Sequence, residues 1–179
     1  MNEGLIPRRY ARALYKHAQE HQCTPQVYAD TQRLEEAFAS HPALAKALGN
    51  PALKAADKES LLVAAAGEQA SKAILRFINL VILNRREEFF RAAMLDFQEI
   101  YRQENGIARV TITTATSLCD DIVDRIKNLL HKQLDKKLEF VYEINPSLIG
   151  GFILRVESMQ LDASIQNELK KLRVKLLNK

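Results

Sequence analysis

The sequence predicts an α+β protein: an N-terminal all-α six-helix bundle over residues 1–105, then a small mixed α/β C-terminal domain over residues 106–179. Three observations carry this reading. Apolar residues recur every three to four positions through the first hundred residues. At Gly106 the period changes to two, with β-branched residues prominent. Helix-stop and turn residues fall between the periodic segments, at Gly49-Asn50-Pro51, Gly67, Asn105-Gly106 and Asn145-Pro146-Ser147. A chain of 179 residues, 47% hydrophobic and 27% charged, can bury a real core.

The elements follow in order. Pro7 suits a first helical position, and Ile6, Tyr10, Ala13, Leu14 and His17 then recur at helical spacing to about His21. Thr24-Pro25 reads as an N-cap with proline at the first position of a second helix, striped by Val27, Thr31, Leu34 and Phe38. A short helix runs from Pro42 to Leu48, and another starts near Asp57 and ends at Gly67. Ser71 can cap the fifth, whose Ile74, Phe77, Ile78, Val81 and Ile82 make it apolar on more than one side and so central. Glu87 and Glu88 suit a helix start, where the macrodipole favours acids; Phe89, Phe90, Met94, Phe97, Ile100 and Tyr101 follow.

After Gly106, Val110, Ile112 and Thr114 alternate as a strand. Ser117 is positioned to cap a helix whose Ile122, Val123, Ile126, Leu129 and Leu130 form one face, with Asp120, Asp121 and Asp124 in the favoured first turn. Leu138, Phe140, Tyr142 and Ile144 alternate again, opposite Glu139 and Glu143. A third strand spans Ile149–Val156, and Glu157–Gln160 reads as a turn into Leu161. Ile165, Leu169, Leu172 and Leu176 then repeat on a last helix with Lys170, Lys171, Arg173 and Lys175 between them. The order is β-α-β-β-α, and roughly 70 residues is near the lower limit for an independent core.

Charge and cysteine usage exclude several classes. The formal net charge is only +4, with +1 in residues 1–105 and +3 in residues 106–179, so no one-sided basic surface invites nucleic acid. No apolar run approaches the roughly 20 residues that cross a bilayer. The first ten residues lack the apolar core of a secretory signal. Cys23 and Cys119 show no metal or redox spacing and read as unpaired thiols in a reducing compartment, as in a soluble chain of cytosolic type.

No catalytic set emerges either, and no cofactor or metal is expected. His17 and His21 lie four apart, but no glutamate sits between them as in HExxH and no third ligand is evident. Gly150-Gly151 lacks the pattern of a phosphate loop and better suits a bulge or close backbone approach. What remains is surface. The first helix sets Tyr10, Ala13, Leu14 and His17 beside small residues, which can wall a groove for a partner's amphipathic helix or simply serve close helix packing. The last helix, apolar on one stripe and basic between, can dock on the bundle or on another protein's helix.

Pro7-Arg8-Arg9-Tyr10-Ala11-Arg12-Ala13-Leu14-Tyr15 resembles the opening of the delta subunit family of F-type ATP synthases, called the oligomycin sensitivity-conferring protein in mitochondria. The segment Leu138–Glu157, with Pro146-Ser147-Leu148-Ile149-Gly150-Gly151-Phe152, and the following Leu161-Asp162-Ala163-Ser164-Ile165 are similar to the family's C-terminal signature. Gly150, Gly151 and Asp162 are its structural residues. Asn84-Arg85-Arg86 resembles the turn after the family's fifth helix.

The resemblance implies a non-catalytic stator subunit without cofactor. Its N-terminal domain would hold the N-terminal helix of an alpha subunit, among other subunits of the catalytic head. Its C-terminal domain would grip the peripheral stalk b subunits. The implied groove lies between the first and fifth helices, at Tyr10, Ala13, Leu14, Ile78, Leu80 and Val81. Through the complex the chain would be peripheral to a bacterial cell membrane on its cytoplasmic side; the absence of a transit peptide favours a bacterial subunit, or else a mature organellar chain. Glu157-Ser158-Met159-Gln160 departs from the family in lacking a glycine-aspartate turn. The competing classes are a generic helical adaptor or RNA-associated module, whose binding would fall steeply with salt, and an enzyme, which would need a deep polar pocket with shifted titratable groups.

Overall fold

The computed structural model describes residues 4–116, 120–133, 136–157 and 159–177. The fold is α+β. The chain divides into two compact units, Met1–Tyr101 and Arg102–Lys179. The readings placed on Ser117, Cys119 and Ser158 lie outside the described residues, as do the side chains of Asp120, Asp121, Ile122 and His131.

In the first unit, α1 (Leu5–Glu20), α2 (Thr24–Ser40), α3 (Pro42–Leu48), α4 (Ala55–Ala66), α5 (Lys72–Leu83) and α6 (Phe90–Glu104) follow one another, with a 3-10 turn at Glu87–Phe89 leading into α6. Their inward stripes meet in one core. α1 contributes Ala11, Leu14 and Ala18; α2 contributes Val27, Leu34 and Phe38; α6 contributes Phe90, Ala93, Met94 and Phe97. α5 buries Ala73, Ile74, Phe77, Ile78, Val81 and Ile82, as expected of a helix apolar on more than one side. Fully burying one such side chain contributes about 1.5–3 kcal/mol.

Two polar features fix this unit. Asp30 is wholly buried on α2, where its carboxylate pairs with Arg33 and accepts the backbone N–H of Ser71 at 2.9 Å. Ser71 in turn caps α5, its hydroxyl oxygen accepting the Ile74 N–H at 3.3 Å. The start of α5 is thereby anchored to α2. At the head of α2 the capping position is Cys23, with no side-chain cap bond, and Thr24 is already helical. The sequence favours Thr24 because threonine caps well; Pro25 within the first turn removes one of the N–H groups that a cap would otherwise satisfy.

The ends of α1 and α5 share one device. Gln22 (φ 53°) and Arg85 (φ 52°) take the left-handed conformation just past each helix. This lets Cys23 N–H reach the Ala18 carbonyl (2.9 Å) and Gln22 N–H that of Gln19 (3.1 Å). Likewise Arg86 N–H reaches Val81 (3.0 Å) and Arg85 N–H reaches Ile82 (2.9 Å). Carbonyls that the helix end would leave unpaired are satisfied, at the expense of a conformation that glycine adopts more readily.

The second unit holds β1 (Ile107–Thr114), α7 (Asp120–Gln133), β2 (Lys137–Ile144), a 3-10 turn at Pro146–Leu148, β3 (Gly151–Val156), β4 (Met159–Ser164) and α8 (Ile165–Leu177). The sheet order is β2-β1-β3-β4; β1 and β2 are parallel, while β1–β3 and β3–β4 are antiparallel. Central β1 alternates as predicted, with Ala108, Val110, Ile112 and Thr114 buried. They pack with Leu130 and Val156, and with half-buried Ile126, Leu138, Phe140 and Leu154.

Three expectations for this unit are corrected. β4 is an additional strand, so the order is β-α-β-β-β-α. The inward face of β2 ends after Phe140, leaving Tyr142 and Ile144 exposed, and Leu129 of α7 is exposed where Leu130 is buried. A sheet of four short strands covers less apolar surface than its sequence offers. Between β3 and β4, Glu157 stands at φ 52°, and its carboxylate accepts from Lys136 at 2.7 Å.

Candidate partner-binding groove

α1 carries two stripes. Pro7, Ala11, Leu14 and Ala18 form the one turned to the core. Beside it run Ile6, Arg9, Tyr10 and Ala13, again at helical spacing, and these line a cleft of about 450 Å³ together with Leu80, Asn84 and Arg86. The opposite wall is therefore the exposed side of α5 and its C-terminal turn. Leu80 is 45% exposed although Ile78, Val81 and Ile82 on the same helix are buried. Tyr10 stands edge-on to Phe77 with ring centroids 6.1 Å apart, which fixes the ring at the groove edge.

The cap of α5 shapes the same wall. Asn84 donates its side-chain amide to the Leu80 carbonyl at 2.8 Å, and the left-handed Arg85 turns the chain so that Asn84 and Arg86 line the cleft. The Arg86 guanidinium lies 6.0 Å from the Phe89 ring centre. Arg9 and Arg86 are the charged residues on the lining and both are positive. The cleft thus pairs apolar and small side chains with two cations, which suits an amphipathic segment carrying acids.

The residues expected at this groove divide. Tyr10, Ala13 and Leu80 come together on its lining. Leu14, Ile78 and Val81 are at most 2% exposed and belong to the core cluster. Ile6, Arg9, Asn84 and Arg86 were not placed there by sequence; the Asn84-Arg85-Arg86 turn was the signal that could have found the last two.

The signature residues of the second unit have a backbone explanation. Gly151 pairs with Ser164 and takes φ 76°, and a Cβ there would run into the Ala163 carbonyl oxygen. At Gly150 a Cβ would come within 2.7 Å of the Ile165 side-chain tip, and the Gly150 carbonyl accepts the Ile165 N–H at 3.0 Å. Asp162 accepts both the N–H (3.0 Å) and the hydroxyl (2.6 Å) of Ser164. Ser164 caps α8 by accepting the Asn167 N–H at 3.2 Å. The two bonds from Ser164 hold the Asp162 carboxyl below the usual carboxylate range, with Lys171 adding to the effect. Beyond this cap, α8 shows Ile165, Leu169, Leu172 and Leu176 all exposed within the chain, Leu176 by 76%.

His17 and His21, for which sequence offered no third ligand, lie close to Glu20; the donor atoms of the three are within 4.8 Å of one another. HExxH spacing had directed attention to the residue after the first histidine, whereas the nearby carboxylate is three residues on.

Residues 6–176 match the family described as ATP synthase delta (OSCP) subunit. The chain belongs to that family. The delta (OSCP) relatives include the protein named ATP synthase subunit delta from Phocaeicola vulgatus, 34% identical over 177 residues and covering 98% of this chain and 96% of its own length. Its counterpart from Parabacteroides distasonis is 35% identical over 177 residues, covering 99% and 98%. Among solved structures, a chain of the Toxoplasma gondii mitochondrial ATP synthase hexamer superposes with a TM-score of 0.72 at 20% identity, covering 99% of this chain and 98% of that one. That likeness in fold covers both units.

Proposed function

We propose that this chain is a static connector of a proton-translocating ATP synthase, tying the catalytic head to the peripheral stalk so that rotor torque is resisted and proton flow is coupled to ATP synthesis. It is a non-catalytic subunit of that complex, and other ATP synthase subunits are its partners. A rotor turning inside the head drags the head with it unless something fixed opposes the torque. Such a holder needs extensive, slowly dissociating contacts and no turnover chemistry.

The reading divides the work between the two units. The first, over residues 1–105, acts as a six-helix bundle whose α1–α5 groove seats the N-terminal helix of an alpha subunit. The second, over residues 106–179, grips the b subunits of the stalk. The uncovered apolar stripe of α8 supports this second role, because a helix with four exposed aliphatic side chains on one face gains stability by burying them on another helix. Among the described residues no helix is long and apolar enough to cross a membrane. Membrane association is therefore proposed to be peripheral, through the complex, on the cytoplasmic side of a bacterial membrane.

The observation that carries the proposal is the groove in which Tyr10, Ala13 and Leu80 meet Arg9 and Arg86. Two or three apolar anchors at about 1.5–3 kcal/mol each, offset by docking and ordering costs, require several such contacts for tight holding. Calorimetric titration of the full chain with the alpha subunit's N-terminal peptide tests it. A one-to-one complex with modest salt dependence is expected; no heat at micromolar concentrations counts against the groove. Binding that weakens steeply with salt and extends to RNA would favour the adaptor reading instead.

A further inference from the structure

The last turn of α1 gathers metal-ligating side chains away from the groove lining. His17, Glu20 and His21 occupy positions i, i+3 and i+4, which the helix stacks on one face. Their donor atoms all lie within 4.8 Å of one another, and the two imidazole centroids are 4.2 Å apart. We propose that this turn is a binding site for Zn2+ or a similar late first-row divalent ion.

Three features support it. First, His21 Nδ1 lies 2.9 Å from the His17 carbonyl oxygen, which can only accept, so Nδ1 carries the proton and Nε2 of the neutral ring keeps a free lone pair. A histidine oriented through its other nitrogen in this way is the usual second contact of a metal-bound imidazole. Second, the turn is held from behind: the left-handed Gln22 and the Cys23–Ala18 bond fix the backbone on which the ligands sit. Third, the C-terminal turn of a helix carries partial negative charge, which favours a cation.

Two imidazoles and one carboxylate select a borderline ion over Mg2+ or Ca2+, which prefer all-oxygen sets. A tetrahedral zinc with bonds of about 2.0–2.1 Å holds its ligands roughly 3.3 Å apart. Glu20 is exposed and His17 half-buried, so these two side chains have the freedom to turn inward on the ion while His21 keeps its bond to the His17 carbonyl. The remaining coordination position falls to water. Lys72 and Arg76 line the adjoining cleft with His17 and His21, and their charge opposes the ion. Affinity is therefore expected below that of a closed structural site.

The test is calorimetric titration of the full chain with ZnCl2 in metal-free buffer, repeated on Glu20→Gln and on the double variant His17→Gln/His21→Gln. One equivalent should bind the parent chain. Glu20→Gln should weaken binding by about tenfold, and the double variant by more. Circular dichroism confirms that each variant remains helical, and Co2+ absorption on the parent chain reports a low-coordinate imidazole environment. Absence of binding at 100-micromolar-order Zn2+, equal affinity in the double variant, or tighter Mg2+ than Zn2+ binding would each overturn the assignment.

Discussion

Gly151 faces Ser164 across the β3–β4 pair with no room for a side chain between them. The glycine is required twice over: its φ of 76° suits no ordinary L-residue, and its missing Cβ is the space that the Ala163 carbonyl occupies. Gly151→Ala is expected to destabilise the second unit by about 2–4 kcal/mol. Gly150→Ala meets only the flexible tip of Ile165 and should cost less than about 1.5 kcal/mol. Urea unfolding of the full chain, followed by a probe in the sheet, checks the order; equal losses would contradict it.

Ser164→Ala removes the cap of α8 and one acceptor–donor pair with Asp162, and should cost about 1 kcal/mol of helix stability. The linked pH dependence has a definite sign. The Asp162 carboxyl titrates lower in the folded chain than its ordinary 3.8. Its contribution is thus complete above that value and is lost as pH falls through the folded pKa. Asp162→Asn should flatten the stability–pH curve in this acid window alone; a change confined to neutral pH would refute the assignment.

Asp30→Ala leaves the Ser71 N–H buried without its acceptor and frees the start of α5 from α2. A loss of about 2–3 kcal/mol is expected, with Asp30→Asn retaining part of it by keeping an oxygen in place. Thermal unfolding of both variants gives the comparison.

Gln22 and Arg85 hold left-handed conformations that glycine adopts without Cβ strain. Gln22→Gly and Arg85→Gly should each stabilise the chain by up to about 1 kcal/mol. A shift of the denaturant midpoint with unchanged slope is the measurement.

Ala13 is small and exposed on the groove lining, so Ala13→Trp fills the cleft while sparing the core. If the groove seats the alpha subunit's N-terminal helix as proposed, affinity for that peptide should fall at least tenfold, with the unfolding midpoint nearly unchanged. Undiminished binding would place the peptide elsewhere.

Much of the architecture was legible because burial follows period. Val27, Thr31, Leu34 and Phe38 recur at helical spacing and all four are buried; Val110 and Ile112 alternate and are fully buried in the sheet. What the pattern lacked was depth. Leu14 lies one turn from Tyr10, and there the spacing gives a direction and not a distance from the surface; Ile78 and Val81, two and one positions from Leu80, sit on a different side of α5, a separation that helical spacing does carry. β4 escaped notice because Met159–Ser164 has no β-branched residue, and its turn uses Glu157 where glycine or asparagine would announce a hairpin. The buried Asp30 reads as an ordinary helix acid until the chain brings Ser71 to it.

The uncovered stripe of α8 has a consequence for how the molecule must be made. Four aliphatic side chains facing water on a basic helix invite self-adhesion whenever copies outnumber their partners. A thirteen-residue helix with so little tertiary cover also frays readily, exposing chain to cellular proteases. Synthesis matched to that of whatever covers the stripe would avoid both fates, and surplus chains would be cut first at this helix.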